Sequence, residues 1–315
     1  MRSELLEAYN GIRGGEAAYF VQKRGLFAVH GGESVQFLDG LITNDLKTLN
    51  DGEQIAAGFP NAQGRLLAVA NIVRDGDRFL IETEEATRES LFNNLHRFTF
   101  AGDFFVKDLS HEKTCFEIYG RKLEGDLAAA IGRIEGAVGY ALEHGARCFI
   151  PDQMAGEFRD SFPAEKEWRE IPAELYETLR IESGIPFFGV DMDERTIVPE
   201  LGIDGMISYT KGCYIGQEII ARIHYRGHVA KKLTGLIFPK SDENDAEIGA
   251  LTGQELTASD GKPGGHITSA AYSPKLGRIV AMAFVRYDYL AEGTELMAGN
   301  IPVNVNSLPF VKTAY

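Results

Sequence analysis

Along the chain the apolar positions change period several times, and each change marks an element. Residues 19–29, apolar on either side of Gln22-Lys23-Arg24-Gly25, read as a strand. His30-Gly31-Gly32-Glu33-Ser34 then leads into Val35, Phe37, Leu38, Leu41 and Ile42, which recur at helical spacing, and Gly and Ser ahead of such a stretch suit a helix start. Two strand-like runs follow, 54–59 and 65–73, with hairpin-turn chemistry in Asn61-Ala62-Gln63-Gly64 between them. A further strand over 78–83 passes through Glu84 and Glu85 into a helix predicted for 86–98. Hairpins mixed with helices predict an α+β fold rather than a doubly wound parallel sheet.

A second set covers about 103–160, where strands over 114–119 and 147–150 flank a helix near 123–131. Pro172 opens a helix that runs to about Ser183. Past Gly227 the pattern shifts to short strands at close spacing, over 233–238, 255–257, 266–271, 279–285 and 301–305, separated by glycine-rich turns. That tail predicts a small β-barrel or sandwich. The expected organisation is an α+β body over 1–230, in two subdomains (1–102 with 165–230, and 103–164), followed by a C-terminal β-barrel over 231–315. The polar stretch 240–247 reads as a loop.

Composition narrows the function classes. Of 315 residues, 44% are hydrophobic and 25% charged, the balance of a folded globular chain. The formal net charge of -14 disfavours non-specific nucleic-acid binding, because the chain would repel a polyphosphate. No run is long and apolar enough for a membrane helix, and the acidic start lacks a signal core, so the cytoplasm is the expected compartment. Cys115, Cys148 and Cys213 are widely spaced and odd in number, which implies neither a disulfide framework nor a zinc knuckle. Any cysteine chemistry rests on a single thiol.

Three constellations could hold chemistry. In Lys211-Gly212-Cys213-Tyr214-Ile215-Gly216-Gln217-Glu218, two glycines bracket a thiol ahead of a helix-like run, where backbone N–H groups and the helix dipole favour thiolate. Lys211, Arg222, Arg226, Lys231 and Lys232 against Glu218 make this segment locally positive and suit an anionic ligand. The competing reading is a buried structural cysteine in a tight turn. His224 and His228 have the spacing of a metal pair, but Gly227 between them argues against zinc. The second constellation, Arg180-Ile181-Glu182-Ser183-Gly184, precedes Phe187-Phe188-Gly189. Glu182 could accept the paired N–H donors of a pterin edge, or form a salt bridge with Arg180. The third, Leu38-Asp39-Gly40-Leu41-Ile42-Thr43-Asn44-Asp45, ends in polar residues whose commoner use is a cap and turn.

The octet at Lys211 resembles the signature of the YgfZ-type folate-binding proteins of iron-sulfur cluster maintenance, within the superfamily of the glycine-cleavage T-protein, an aminomethyltransferase. Residues 37–46, 61–66, 179–193 and 265–270 are similar, in order, to further segments of that superfamily. The resemblance implies a T-protein-like α+β body with a C-terminal barrel around a tetrahydrofolate site, with Glu182 on the pterin. Lys211, Arg222, Tyr214, Asn44 and Asp45 are the further candidates for cofactor contact, and Cys213 is the candidate reactive group. It also implies help in assembling or repairing 4Fe-4S proteins, iron-sulfur client or carrier proteins as partners, a transient iron-sulfur cluster, and an indirect effect on tRNA modification. No metal-ligating set is expected. The aminomethyltransferases have an Asp-Asp pair after the hairpin glycines, where this chain has Ala68 and Val69, so an active transferase is the alternative reading, with Asp45 as substitute acid. A non-catalytic scaffold is the other alternative.

Overall fold

The computed structural model describes residues 3–100, 102–120, 124–161, 168–239 and 245–312. Two five-stranded sheets and a closed barrel make up its framework. The first sheet takes β2 (Arg24–His30), β3 (Gln54–Pro60), β4 (Leu66–Asp75), β5 (Arg78–Glu84) and β6 (Phe105–Asp108) in the order β3-β4-β5-β2-β6, all antiparallel. The second takes β1 (Ala18–Gln22), β7 (Lys113–Tyr119), β8 (Val138–Leu142), β9 (Gly145–Pro151) and β10 (Arg169–Glu170) in the order β10-β1-β7-β9-β8, with β10 parallel to β1.

The run expected as one strand over 19–29 is therefore two strands in different sheets. Exposed Lys23 marks the crossing, inside the polar break Gln22-Lys23-Arg24-Gly25 that separates the two apolar stretches. Alternation along β2 explains why both its faces are apolar. Phe27 and Val29 enter the core under the helices α2 (Ser34–Asp39) and α3 (Glu85–His96), while Leu26 and Ala28 meet Cys115, Tyr140 and Phe149 of the second sheet. Each such fully buried large side chain contributes roughly 1.5–3 kcal/mol. The outer face of the second sheet is covered by α4 (Gly125–Gly132) and α5 (Ala155–Asp160) through Leu127, Ile131 and Phe158. Residue 123 of the expected helix lies outside the described residues.

Between the sheets the apolar contact gives way to a buried charged seam. Arg147 reaches both Glu82 and Glu117, Arg24 also pairs with Glu82, and His144 Nε2 lies 2.8 Å from Glu117. Tyr140 and Asn71 donate to Glu82 at 2.7 and 2.8 Å. Burial alone would raise the Glu82 carboxyl, but Arg24 and Arg147 hold it down at about 2. The seam locks the relative position of the sheets, since a charge stripped of water there has no other partner.

The barrel closes in the order β11-β14-β13-β12-β15-β16, from β11 (Lys231–Ile237), β12 (Glu255–Ala258), β13 (Pro263–Ser273), β14 (Arg278–Arg286), β15 (Glu295–Ala298) and β16 (Ile301–Asn306). Short β15 was not predicted. Residues 240–244 of the expected loop lie outside the described residues, and the helix α8 (Asp245–Leu251) follows them. Two helices join the barrel to the sheets. These are α6 (Ala173–Glu182), which starts after Pro172 as expected, and α1 (Ser3–Arg13), which the sequence pattern did not disclose.

Candidate functional site

Three of the motifs meet at one place. The helix α7 (Gln217–Arg226) begins after Gly216, whose φ of +82° is left-handed, and a Cβ there would fall 2.5 Å from the Asn61 carbonyl. Gly64 makes the reciprocal approach, φ +72°, against Ile219 of α7. Only glycine fits at these two positions. Asn61 holds its own turn by accepting from the backbone N–H groups of Gln63 and Arg65 at 2.9 and 3.0 Å. The hairpin turn and the start of α7 are thus fixed to each other.

The strand-like segment before α7 lies along the end of α2. Ser208 N donates to Thr43 O, Ile215 N donates to Gly40 O, and Thr43 Oγ1 donates to Met206 O. Lys211 turns fully inward. Its Nζ lies 3.0 Å from Asp39 Oδ1 and donates to the carbonyls of Asp39, Ile42 and Asn44, the first two at 2.8 and 3.1 Å. A compact ammonium with three donors suits this cluster of carbonyls at a helix C-terminus. Burial works against the Asp39 charge, yet hydrogen bonds from Lys211 and Leu46 N keep its carboxyl below the usual range.

This geometry corrects the expected basic patch. The Lys211 ammonium is buried and engaged by Asp39 and by backbone carbonyls rather than turned outward. Arg222 is exposed and paired with Glu218 at 2.7 Å, one turn away on the same helix. Tyr214 is buried beside Lys211, whose Nζ lies 5.3 Å from the ring centre. Asn44 ties two distant segments by donating to Ala56 O and Gly205 O, and half-buried Asp45 accepts from Lys47 N at 3.0 Å, which is the cap use. Gln217 donates to Gly212 O. Among the octet's polar side chains, Cys213 alone is exposed without a hydrogen bond or ion pair among the described residues. The other thiols are buried on opposite faces of the second sheet, with Cys115 paired across from Phe149 and Cys148 from Phe116. Burial pushes the Cys115 thiol up to about 12 and Cys148 upward as well.

The remaining motifs meet at a second junction. Glu182 is fully buried and accepts from Tyr9 OH at 2.8 and 2.9 Å, from Arg13, and from Ser273 Oγ of the barrel. The salt-bridge reading had named Arg180 as partner, whereas Arg180 binds Glu177, Ile185 O and Asp191. A β-bulge between Ile267 and Ser269 points two consecutive hydroxyls, Thr268 and Ser269, at Asp191 Oδ1, 2.5 and 2.7 Å away. Tyr9, Arg13 and Ser273 thus already donate to the Glu182 carboxylate, and a pterin would share it with them or displace one of them. Tyr9 and Arg13 carried no signal in the sequence, and Asp39 and Asp191 lay inside motif segments without their role as partners of a cation; a buried charge demands a partner, but that partner lies as far as 172 positions away.

Two further expectations are reported by position. Ala68 is buried in the first-sheet core and Val69 packs beside Met192 and Tyr214, so no carboxylate stands after the hairpin turn. The ring of His224 stacks on Tyr209 and that of His228 on Tyr287, and no group of three or more His, Cys, Asp or Glu among the described residues could hold a metal ion.

A mixed α+β body ending in a closed six-stranded barrel is the fold of the glycine-cleavage T-proteins. Residues 231–312 match the glycine cleavage T-protein C-terminal barrel domain. The solved aminomethyltransferase T of the glycine cleavage system from Bartonella henselae superposes with a TM-score of 0.85 at 19% identity, over 99% of this chain and 90% of that one, a likeness of fold. The chain is 27% identical over 310 residues to the aminomethyltransferase of Koribacter versatilis, covering 89% of this chain and 79% of that protein. It is 28% identical over 238 residues to a mitochondrial iron-sulfur cluster assembly factor IBA57 homolog of Mycosarcoma maydis, covering 69% of this chain and 56% of that protein.

Proposed function

We propose that this chain is a factor for assembling or repairing iron-sulfur proteins rather than an aminomethyltransferase, and that Cys213 is its working group. The reading rests on one observation: the octet is locked in place by its Lys, Tyr and glycines, and the thiol is its exposed polar side chain without a hydrogen bond or ion pair among the described residues. A rigid loop that presents one unencumbered thiol suits transient ligation. The thiol gives up its proton and its sulfur binds iron, with no change in oxidation state. Cluster cargo usually needs four cysteine ligands, so a single thiol shares it with a partner's ligands. Effects on tRNA modification would follow indirectly, through iron-sulfur enzymes.

The relatives named aminomethyltransferases support the competing reading, a tetrahydrofolate-dependent transferase. Against it stand Ala68 and Val69 after the hairpin turn and the capping role of Asp45, which leave no carboxylate free there to assist methylene transfer. Folate would share the Glu182 carboxylate with Tyr9, Arg13 and Ser273. Purified protein assayed for tetrahydrofolate-dependent aminomethyl transfer is expected to show no turnover. Turnover that survives Cys213→Ser and disappears in Asp45→Asn would replace this reading with the transferase.

A further inference from the structure

The helix α7 buries little of itself. Of its ten residues only Ile220 is fully buried, and His224, Tyr225, Arg226 and the following His228 are all exposed. The rings on this surface are nevertheless ordered. Tyr209 lies flat on His224 with centres 3.6 Å apart, and Tyr225 meets both edge-on. His228 lies flat on Tyr287 at the barrel rim, also at 3.6 Å. Tyr225 is 66% exposed and Tyr287 47%, among the most exposed large side chains of the molecule. The strip runs from the C-terminal end of α7 toward the barrel through His228 on Tyr287, and the Cys213 loop lies at the N-terminal end of the same helix, where Gln217 is tied to Gly212 O.

Charge sets this strip apart from the rest of the surface. From residue 217 to 239 there are four cations, Arg222, Arg226, Lys231 and Lys232, against one carboxylate, Glu218, a balance of +3 in a chain of -14. Exposed Tyr and Arg held in fixed positions are the residue types that dominate protein interface energetics. Single-stranded nucleic acid would stack bases on open ring faces, and here one face of each of Tyr209, His224, His228 and Tyr287 is already covered by its partner ring.

Resting on the thiol reading above, we propose that the strip formed by Tyr209, His224, Tyr225, Arg226, His228 and Tyr287 docks an acidic protein surface and aligns that partner's cluster ligands with Cys213. Charge complementarity selects the partner and speeds the encounter, while the ordered rings supply the contact that holds it.

The test places photoreactive benzoylphenylalanine at position 225 of the full chain in cells lacking the native protein, with position 100 as an exposed control. The expected adduct is specific to position 225, resists nuclease, contains an acidic protein, and disappears when Arg226→Glu is added. In parallel, Tyr225→Ala and Arg226→Glu are expected to lower the restored iron-sulfur enzyme activity about tenfold or more, while iodoacetamide labels Cys213 at the wild-type rate. A nuclease-sensitive adduct overturns the proposal in favour of nucleic acid. Full restoration by Arg226→Glu, with Cys213→Ser inactive, overturns the docking strip and leaves the thiol reading standing. Full restoration by Cys213→Ser overturns the thiol reading and the docking strip with it.

Discussion

The Cys213 loop and the Glu182 junction are built alike and leave opposite things behind. Each gathers motif residues from distant parts of the chain around a buried ion pair, Lys211 with Asp39 in one and Arg13 with Glu182 in the other. In the first, the pair clamps a helix end and the chemically interesting side chain two residues on projects into solvent. In the second, the chemically interesting carboxylate is itself the clamp, consumed by Tyr9, Arg13 and Ser273. Matching a family motif therefore does not make a side chain available; its hydrogen-bond partners decide that.

The sharpest way to break this contrast is Glu182→Ala. It strands Arg13 in a buried setting and is expected to cost about 3–5 kcal/mol in urea unfolding. A cost near zero would mean that Glu182 is not a clamp and is open to a ligand after all. Next in size is an acid effect from the charged seam between the sheets. Glu82 is held at about 2 in the fold, below its value of roughly 4.3 in an unfolded chain. A carboxyl whose pKa is depressed by folding stabilises fully above the unfolded value and loses that contribution as pH falls toward the folded one. Urea midpoints should therefore drop between about pH 4.3 and pH 2, by on the order of 3 kcal/mol. Glu82→Gln should flatten that part of the profile, and an unchanged profile would remove the seam from the account.

Smaller again is Lys211→Met, which leaves three carbonyls without their cation and Asp39 with only the exposed Lys47, and is expected to cost about 1–3 kcal/mol. Hydrogen exchange should report the loss locally, at the Ile215 amide that donates to Gly40 O. If that amide exchanges no faster than in wild type, Lys211 does not hold the loop. The smallest expected effect is Cys213→Ser, within about 0.5 kcal/mol of wild type. In the native wild-type protein a thiol reagent should label one cysteine rapidly, and all three only in denaturant, because Cys115 and Cys148 are buried.

Much of the fold could be read from periodicity. The β3–β4 hairpin, α3, α6 and most barrel strands fell close to their predicted places, because each is bounded by turn residues or a proline that act locally. Distant partners set some of what escaped, two-residue β10 against β1 and α1, which gains its meaning from Glu182, whereas β8 and β15 pair with the strands that directly follow them and escaped through their shortness. The site divided in the same way. Gly216, Gly64 and the turn role of Asn61 were visible in residue type. The inward turn of Lys211 was not, since its charge suggested a ligand contact until Asp39 and the carbonyls at the end of α2 supplied its partners.

The central claim is that the chain works through its one open thiol. It is tested most directly by expressing Cys213→Ser at the wild-type level in a strain lacking the native protein and measuring 4Fe-4S enzyme activity. The account predicts a folded variant that restores little or none of that activity, while wild type restores it; restoration by Cys213→Ser equal to wild type would contradict it.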